Sequence, residues 1–213
     1  MRWERGYSSE YYITVVDPSS WRDIQRIEIT GGSINRERGG LMQSASINAV
    51  NYPQLIEQWI RVWLDTRQEG ANGHEALFTG LATSPTQAWN GPRHEDALTV
   101  YSVLQPAEKV DLLLGWYAPA GASGANIIKN LLSVTPAPVI VADNSPTLSE
   151  HIVAEAGENH LTMIEKILTA IDWRLRITGD GRISVEPKDK TPVYTMDPLE
   201  NDVIETQINV TSD

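Results

Sequence analysis

The sequence predicts a β-rich α+β protein: strands over residues 1–110, closing as a barrel or sandwich, then a smaller α+β domain over 111–200 with two helices and a hairpin. Three observations carry this. Short alternating or β-branched runs, broken by Gly, Pro and Asn, recur through residue 104. The apolar spacing then changes to three and four over Ala125–Val134 and Leu161–Ile171, which is one face of a helix. From Trp173 to Val185 it returns to two, around Gly179-Asp180-Gly181, a hairpin turn with residues suited to positive φ.

The elements follow in order. Tyr11–Val16 is rich in β-branched and aromatic residues and stops at Asp17-Pro18. Ile24–Thr30 alternates and is broken at Gly31-Gly32, followed by a run over Ser33–Glu37 and a second break at Gly39-Gly40. Met42–Val50 ends at Asn51-Tyr52-Pro53. Gln58–Thr66 is the strongest strand of this half, and Glu75–Ala82 is its hairpin partner. Ala88-Trp89 lies near a turn at Asn90-Gly91-Pro92, and Asp96–Leu104 completes the set. Closing such strands into a barrel removes exposed edges. The texture changes at Pro106; Lys109–Trp116 suits a short helix or an extended segment, and the boundary falls between Leu104 and Gly121. Ser123 is placed to cap the first helix and Asn159 the second. Pro136 and Pro138 stop the first helix, and Val139-Ile140-Val141 is a short strand. Val203–Val210, within 201–213, is a terminal strand able to return to a barrel.

Composition narrows the function classes. The 213 residues carry a formal net charge of −11, with 28 acidic against 17 basic residues. That balance disfavours a nonspecific grip on duplex nucleic acid or on anionic lipid. It suits solubility, and it suits a surface that repels a polyanion. The chain has no cysteine, which excludes disulfides and thiolate metal sites. No apolar run approaches the ~18 residues of a membrane span, and Met1–Arg5 lacks the apolar core of a secretory signal. The expectation is a soluble protein made in the cytoplasm. Seven Trp and seven Tyr against one Phe suit half-buried sheet faces and protein contacts.

Candidate chemistry is sparse. His74, His94, His151 and His160 show no metal-ligand spacing. Gly121–Asn126 lacks the Lys-Ser/Thr ending of a phosphate loop and reads as a helix-capping connection; Gly-x-Ser-x-Gly is absent. Glu155 with Glu158, and Asp180 with Glu186, are the acidic pairs to weigh as glycosidase carboxylates, with a solvated face as the favoured reading. Asp143, Asp180 and Asp189 form no dense calcium loop. Arg174, Arg176 and Arg182 cluster on the hairpin, with Arg174 and Arg176 on the face opposite Trp173 and Leu175. No catalytic residue, metal or cofactor is expected.

Taken together, Ala76-Leu77-Phe78-Thr79-Gly80 at a strand end, the helix with Asn126–Leu132, Ser145-Pro146-Thr147-Leu148, the helix Leu161–Ala170 and the hairpin closing at Glu186-Pro187 resemble the baseplate hub, or late control type, proteins of long-tailed bacteriophages. The resemblance covers residues 20–190. It implies a tail-tube-like β-barrel and a homotrimer whose two barrel-like domains per chain make a pseudo-hexameric ring joining tube to tip. It implies a virion location and contacts with tail tube and distal tail proteins, spike or fibre proteins and the tape-measure protein. DNA would pass through the lumen without specific binding, and no membrane is involved. Such hubs are often longer and carry a C-terminal cell-wall hydrolase; this chain reads as a minimal hub or a fragment. Trp59, Trp63, Trp89, Arg174 and Arg176 are the candidate subunit contacts, and lumen-facing positions are expected to be net acidic. The alternative is a cell-wall carbohydrate-binding or wall-hydrolysing tail module; a third reading is an unrelated β-rich adaptor.

Overall fold

Six strands alternate inward apolar and outward polar residues over much of their length. They are β1 (Ser8–Val16), β2 (Asp23–Arg36), β3 (Gln43–Val50), β4 (Gln58–Gln68), β5 (Ala71–Asn90) and β6 (Arg93–Ser102). In the computed structural model, residues 8–36, 41–52, 57–68, 71–90 and 93–188 are described, apart from the side chains of 84–95. The terminal strand expected in 201–213, and Asp189, lie outside the described residues. The strands pair antiparallel in the order β1-β2-β3-β6-β5-β4, and β4 pairs back to β1, closing a barrel. Ile13, Val15, Ile27, Ile47, Ile60, Val62, Phe78, Leu98 and Val100 fill it.

The strands are longer than their punctuation predicts. β2 runs through Gly31-Gly32, with a register shift that leaves Thr30 unmatched between Ile29↔Ala49 and Gly31↔Asn48. Gly32 marks a close approach of backbones: a Cβ there would lie 2.7 Å from the Ser46 carbonyl oxygen. β5 runs for 20 residues. Its register against β6 shifts between Thr83 and Thr86, a bulge that takes in Pro85, which has no N–H to give to a ladder.

The second unit has its own core. It comprises α1 (Gln105–Lys109), β7 (Tyr117–Ala118), α2 (Gly124–Leu131) with a 3-10 turn to Val134, β8 (Val139–Val141), β9 (Ile152–Val153), α3 (His160–Ile171), β10 (Trp173–Ile177) and β11 (Ile183–Pro187). Both expected caps form: Ser123 Oγ accepts from the Asn126 N–H, and Asn159 Oδ1 from the Thr162 N–H. Asp172 ends α3 in the left-handed region, φ 53°, and turns the chain into β10. The hairpin pairs Trp173 with Pro187 through Ile177 with Ile183, and β11 pairs parallel with β8. α1 is a helix where the sequence shows only a change of texture. Pro106 sits in its first turn, and Ala107 is buried in the second core.

The two cores meet at the barrel wall. Ile128, Leu132, Leu161, Met163, Ile164, Ile167, Leu168, Ile183 and Val185 pack with Val16 and Trp59, which point outward from the barrel; Trp21 and Leu81 pack against the same cluster. This is why Val16 on β1 and Trp59 on β4 are buried although they face outward; Tyr12 is instead covered by Arg26, and Thr14 meets Trp63. No helix among the described residues is long and apolar enough to cross a membrane.

Candidate functional site

The most elaborate polar arrangement lies where the β10–β11 turn meets the outer barrel wall. Period two puts Arg61 outward on β4 between Ile60 and Val62, yet its side chain is only 7% exposed. Its Nε donates to Thr79 Oγ1 on β5 (3.1 Å) and its guanidinium to Asp23 Oδ1 on β2 (2.8 Å), to the Asp180 carbonyl oxygen (3.1 Å) and to that of Trp21 (3.5 Å). Thr79 Oγ1 donates onward to the Gly179 carbonyl (2.8 Å), and Trp21 Nε1 to the Asp180 carbonyl (2.9 Å). Burial lowers the Arg61 pKa, and the Asp23 carboxylate opposes that shift; an arginine remains charged here. A Cβ on Gly179 would lie 1.8 Å from the Ala76 carbonyl oxygen, so only glycine fits this seat. Ala76 adjoins Leu77, where β5 shifts register against β4 between Val62 and Trp63.

The predicted contact residues fall into different settings. Trp59 is 8% exposed in the chain's own core, its ring 5.5 Å from Trp21. Little of it is left for a second subunit. Trp63 stacks on His74 (4.1 Å, interplanar 11°), and its Nε1 donates to Thr14 Oγ1 and Asp23 Oδ2. Arg174 pairs with Glu186 across the hairpin (2.8 Å). Arg176 is exposed beside Ser184 and Ile140 in one row of the sheet, with no ion pair among the described residues. The side chains of Trp89 and His94 lie outside the described residues.

The weighed catalytic groups have other partners. His74 Nδ1 meets Asp65 Oδ1 at 2.6 Å, His160 Nδ1 the Leu131 carbonyl at 2.9 Å, and His151 Nδ1 accepts from the Ala120 N–H. Glu155 and Glu158 converge on Lys166. The Glu158 pKa is lowered by its hydrogen bond to Lys166 and then by the Glu155 N–H. Asp180 pairs with Arg182 and Glu186 with Arg174. Among the described residues no three His, Cys, Asp or Glu gather as a metal site.

Two surface features escape the sequence reading. One is a cavity of about 450 Å³ in the barrel mouth, lined by Tyr11, Ile29, Ile34, Ile47, Val62 and Leu77 among others. The other is an apolar patch. Leu113 and Leu114 are 82% and 90% exposed on a turn closed by Trp116 N–H to the Leu113 carbonyl, with Gly115 at φ 82°. Exposed Val110 and Tyr117 line a groove of about 550 Å³ beside this turn, and Val153 lies opposite Tyr117 across β7–β9. Exposed apolar side chains around a groove suit contact with another protein. The Leu-Leu-Gly run was the available signal.

No family model matches the chain, and no curated protein matches its sequence. Solved structures share its fold. The prophage MuSo2 43 kDa tail protein from Shewanella oneidensis superposes with a TM-score of 0.63 at 13% identity, over 88% of this chain and 58% of that one. A tail protein from Neisseria meningitidis MC58 gives 0.61 at 18%, over 88% and 54%. A chain of the Francisella PdpA-VgrG complex gives 0.58 at 9%, over 91% and 31%. The present chain thus spans a little over half the length of the two tail proteins. At these identities the likeness is one of fold. The tail-protein resemblance read from the sequence is met at that level.

Proposed function

We propose that this chain is a structural component of a phage-type tail, acting in a baseplate hub as a wall segment of an oligomeric ring between tail tube and tip. The observation that carries this reading is the closed barrel with an α+β unit fixed to its outer wall, an arrangement shared over 88% of the chain with two tail proteins. In such a ring the barrel is the tube-like element, and the lumen passes DNA and tape-measure protein without binding them. The net charge of −11 supports an acidic lumen, since like charge keeps a polyanion from sticking. Trp63, Arg174, Arg176 and Trp89 are the proposed subunit contacts, with neighbouring tube, distal tail and spike or fibre proteins as further partners. The Francisella complex pairs VgrG with PdpA; its contribution here is a precedent for this fold within a larger assembly.

The reading is non-enzymatic, supported by the ion pairs that engage Glu158, Glu186 and Asp180. The test is the mass of the full chain by light scattering over a range of concentrations, with micrographs of the same sample. A trimer of the 23.6 kDa chain, visible as rings, is expected. A monomer at every concentration without rings, alone or with purified tail tubes, refutes it. Release of sugar or peptide ends from purified cell wall overturns the non-enzymatic part.

A further inference from the structure

We propose that Arg61 is a positioning residue that sets one orientation between the barrel and the α+β unit, with the turn Thr178–Arg182 as its latch. Apart from the Thr79 and Trp21 bonds to the same turn, the contact described between the units is apolar, through Val16, Trp59, Trp21 and Leu81. Apolar adhesion is non-directional, so it holds the units together and leaves their angle weakly specified. A guanidinium is directional: its donors leave a rigid plane at fixed angles. Arg61 reaches acceptors on β2, on β5, in the β1–β2 connection and in the hairpin turn at once.

The turn it reads is built beforehand. The Thr178 N–H donates to the Arg182 carbonyl (3.0 Å), Gly181 N–H to the Thr178 carbonyl (2.9 Å), and Arg182 N–H to Thr178 Oγ1 (3.1 Å). The Asp180 carboxylate holds Arg182 at 3.0 Å, so the turn's own cation is balanced beside Arg61. Two successive carbonyls then face the wall. Gly179 O accepts from Thr79, and Asp180 O from Arg61 and Trp21. Sliding the hairpin by one residue would remove these acceptors from a buried cation and drive a side chain into the Gly179 seat, which has no room for a Cβ.

Three of the four partners of Arg61 also have another partner. Asp23 keeps Trp63 Nε1 (3.2 Å), Thr79 keeps Gly179 O, and Asp180 O keeps Trp21 Nε1. Removing the guanidinium therefore orphans none of these three. Replacing both members of a buried ion pair by neutral side chains is often neutral or stabilising, whereas removing one leaves the other's charge uncompensated, so Arg61→Met is made together with Asp23→Asn. In that background Arg61→Met is expected to fold with an unchanged or raised thermal midpoint and to lose uniqueness of orientation.

The chain has no native cysteine, so spin labels at Glu28→Cys on the barrel and Lys129→Cys on α2, both exposed, report the angle as a distance distribution by pulsed electron resonance. The parent gives one narrow peak. Arg61→Met broadens or splits it, and Arg61→Lys, which keeps the charge without the fork, gives intermediate width. A narrow peak at the parent distance in Arg61→Met overturns the proposal. So does broadening that tracks a fall in thermal midpoint, which marks ordinary destabilisation. Should Arg61→Met not fold, Arg61→Lys decides: it loses the fork while keeping the charge, and a peak as narrow as the parent's overturns the proposal equally. The readout is a property of the single chain and is independent of ring formation.

Discussion

Replacing Trp59 with alanine separates two uses of an indole. On β4 it faces away from the barrel, and sequence alone makes it a candidate for a neighbouring subunit. The structure buries it to 8% exposure among residues of the same chain, 5.5 Å from Trp21. A buried Trp removes about 150–250 Å² from water, which at about 25 cal/mol per Å² is about 4–6 kcal/mol. Compactness of the unfolded chain lowers this by about 10–40%, so the result agrees with the ~3–5 kcal/mol typical of Trp→Ala in a core. For a chain of this size each kcal/mol moves the thermal midpoint by about 2–4 °C, so a fall of about 6–20 °C is expected. The assay is thermal and urea unfolding at two well-separated protein concentrations, with mass measured alongside. An intrachain Trp gives the same loss at both concentrations and leaves the mass unchanged. A stability loss that shrinks as concentration rises, together with a reduced mass, is the signature of a subunit contact and refutes the placement.

Other perturbations read different parts of the molecule. Burial, reinforced by the Asp96 carboxylate, pushes the Tyr52 phenol from 10.0 up to about 12, and its hydroxyl has no hydrogen-bond partner among the described residues. A folded pKa above the unfolded one contributes stability that is intact below pH 10 and is lost as the pH rises toward 12. Tyr52→Phe should match the parent at neutral pH and flatten that alkaline decline in urea midpoints. Gly179→Ala places a methyl in the Ala76 carbonyl. It should cost about 1–3 kcal/mol and raise amide exchange in 178–182 while the barrel strands stay protected. Asn159→Ala removes the α3 cap to Thr162 and should lower stability by about 1 kcal/mol, read from the urea midpoint.

Local signals were legible where local physics decides. Leu161, Ile164, Leu168 and Ile171 form a helical stripe that is buried as such, and Ser123 and Asn159 cap as their types suggest. The Gly-Asp-Gly hairpin was readable from its turn chemistry, although only Gly181 takes a positive φ (79°) and Gly179 serves the close approach to Ala76. Gly31-Gly32 was misread as a break because glycine punctuates in two ways: it ends strands, and it lets two backbones approach, as Gly32 does at Ser46. Pro85 belongs to a bulge inside β5, which the expectation of two shorter runs did not anticipate. Arg61 looked like one more outward polar residue. Its burial comes from Asp180, 119 positions away, and no window along the chain contains that fact. The same holds for Trp59, whose covering partners lie mostly beyond residue 100.

The placement of Val16 and Trp59 in the second core also orders events during synthesis. All six barrel strands end by Ser102, so they leave the ribosome before α2, α3 and the hairpin. N-terminal units generally fold first as the chain emerges. The finished wall then presents an apolar shelf on which the later segment condenses, whereas that segment translated alone would lack two of its own interior residues.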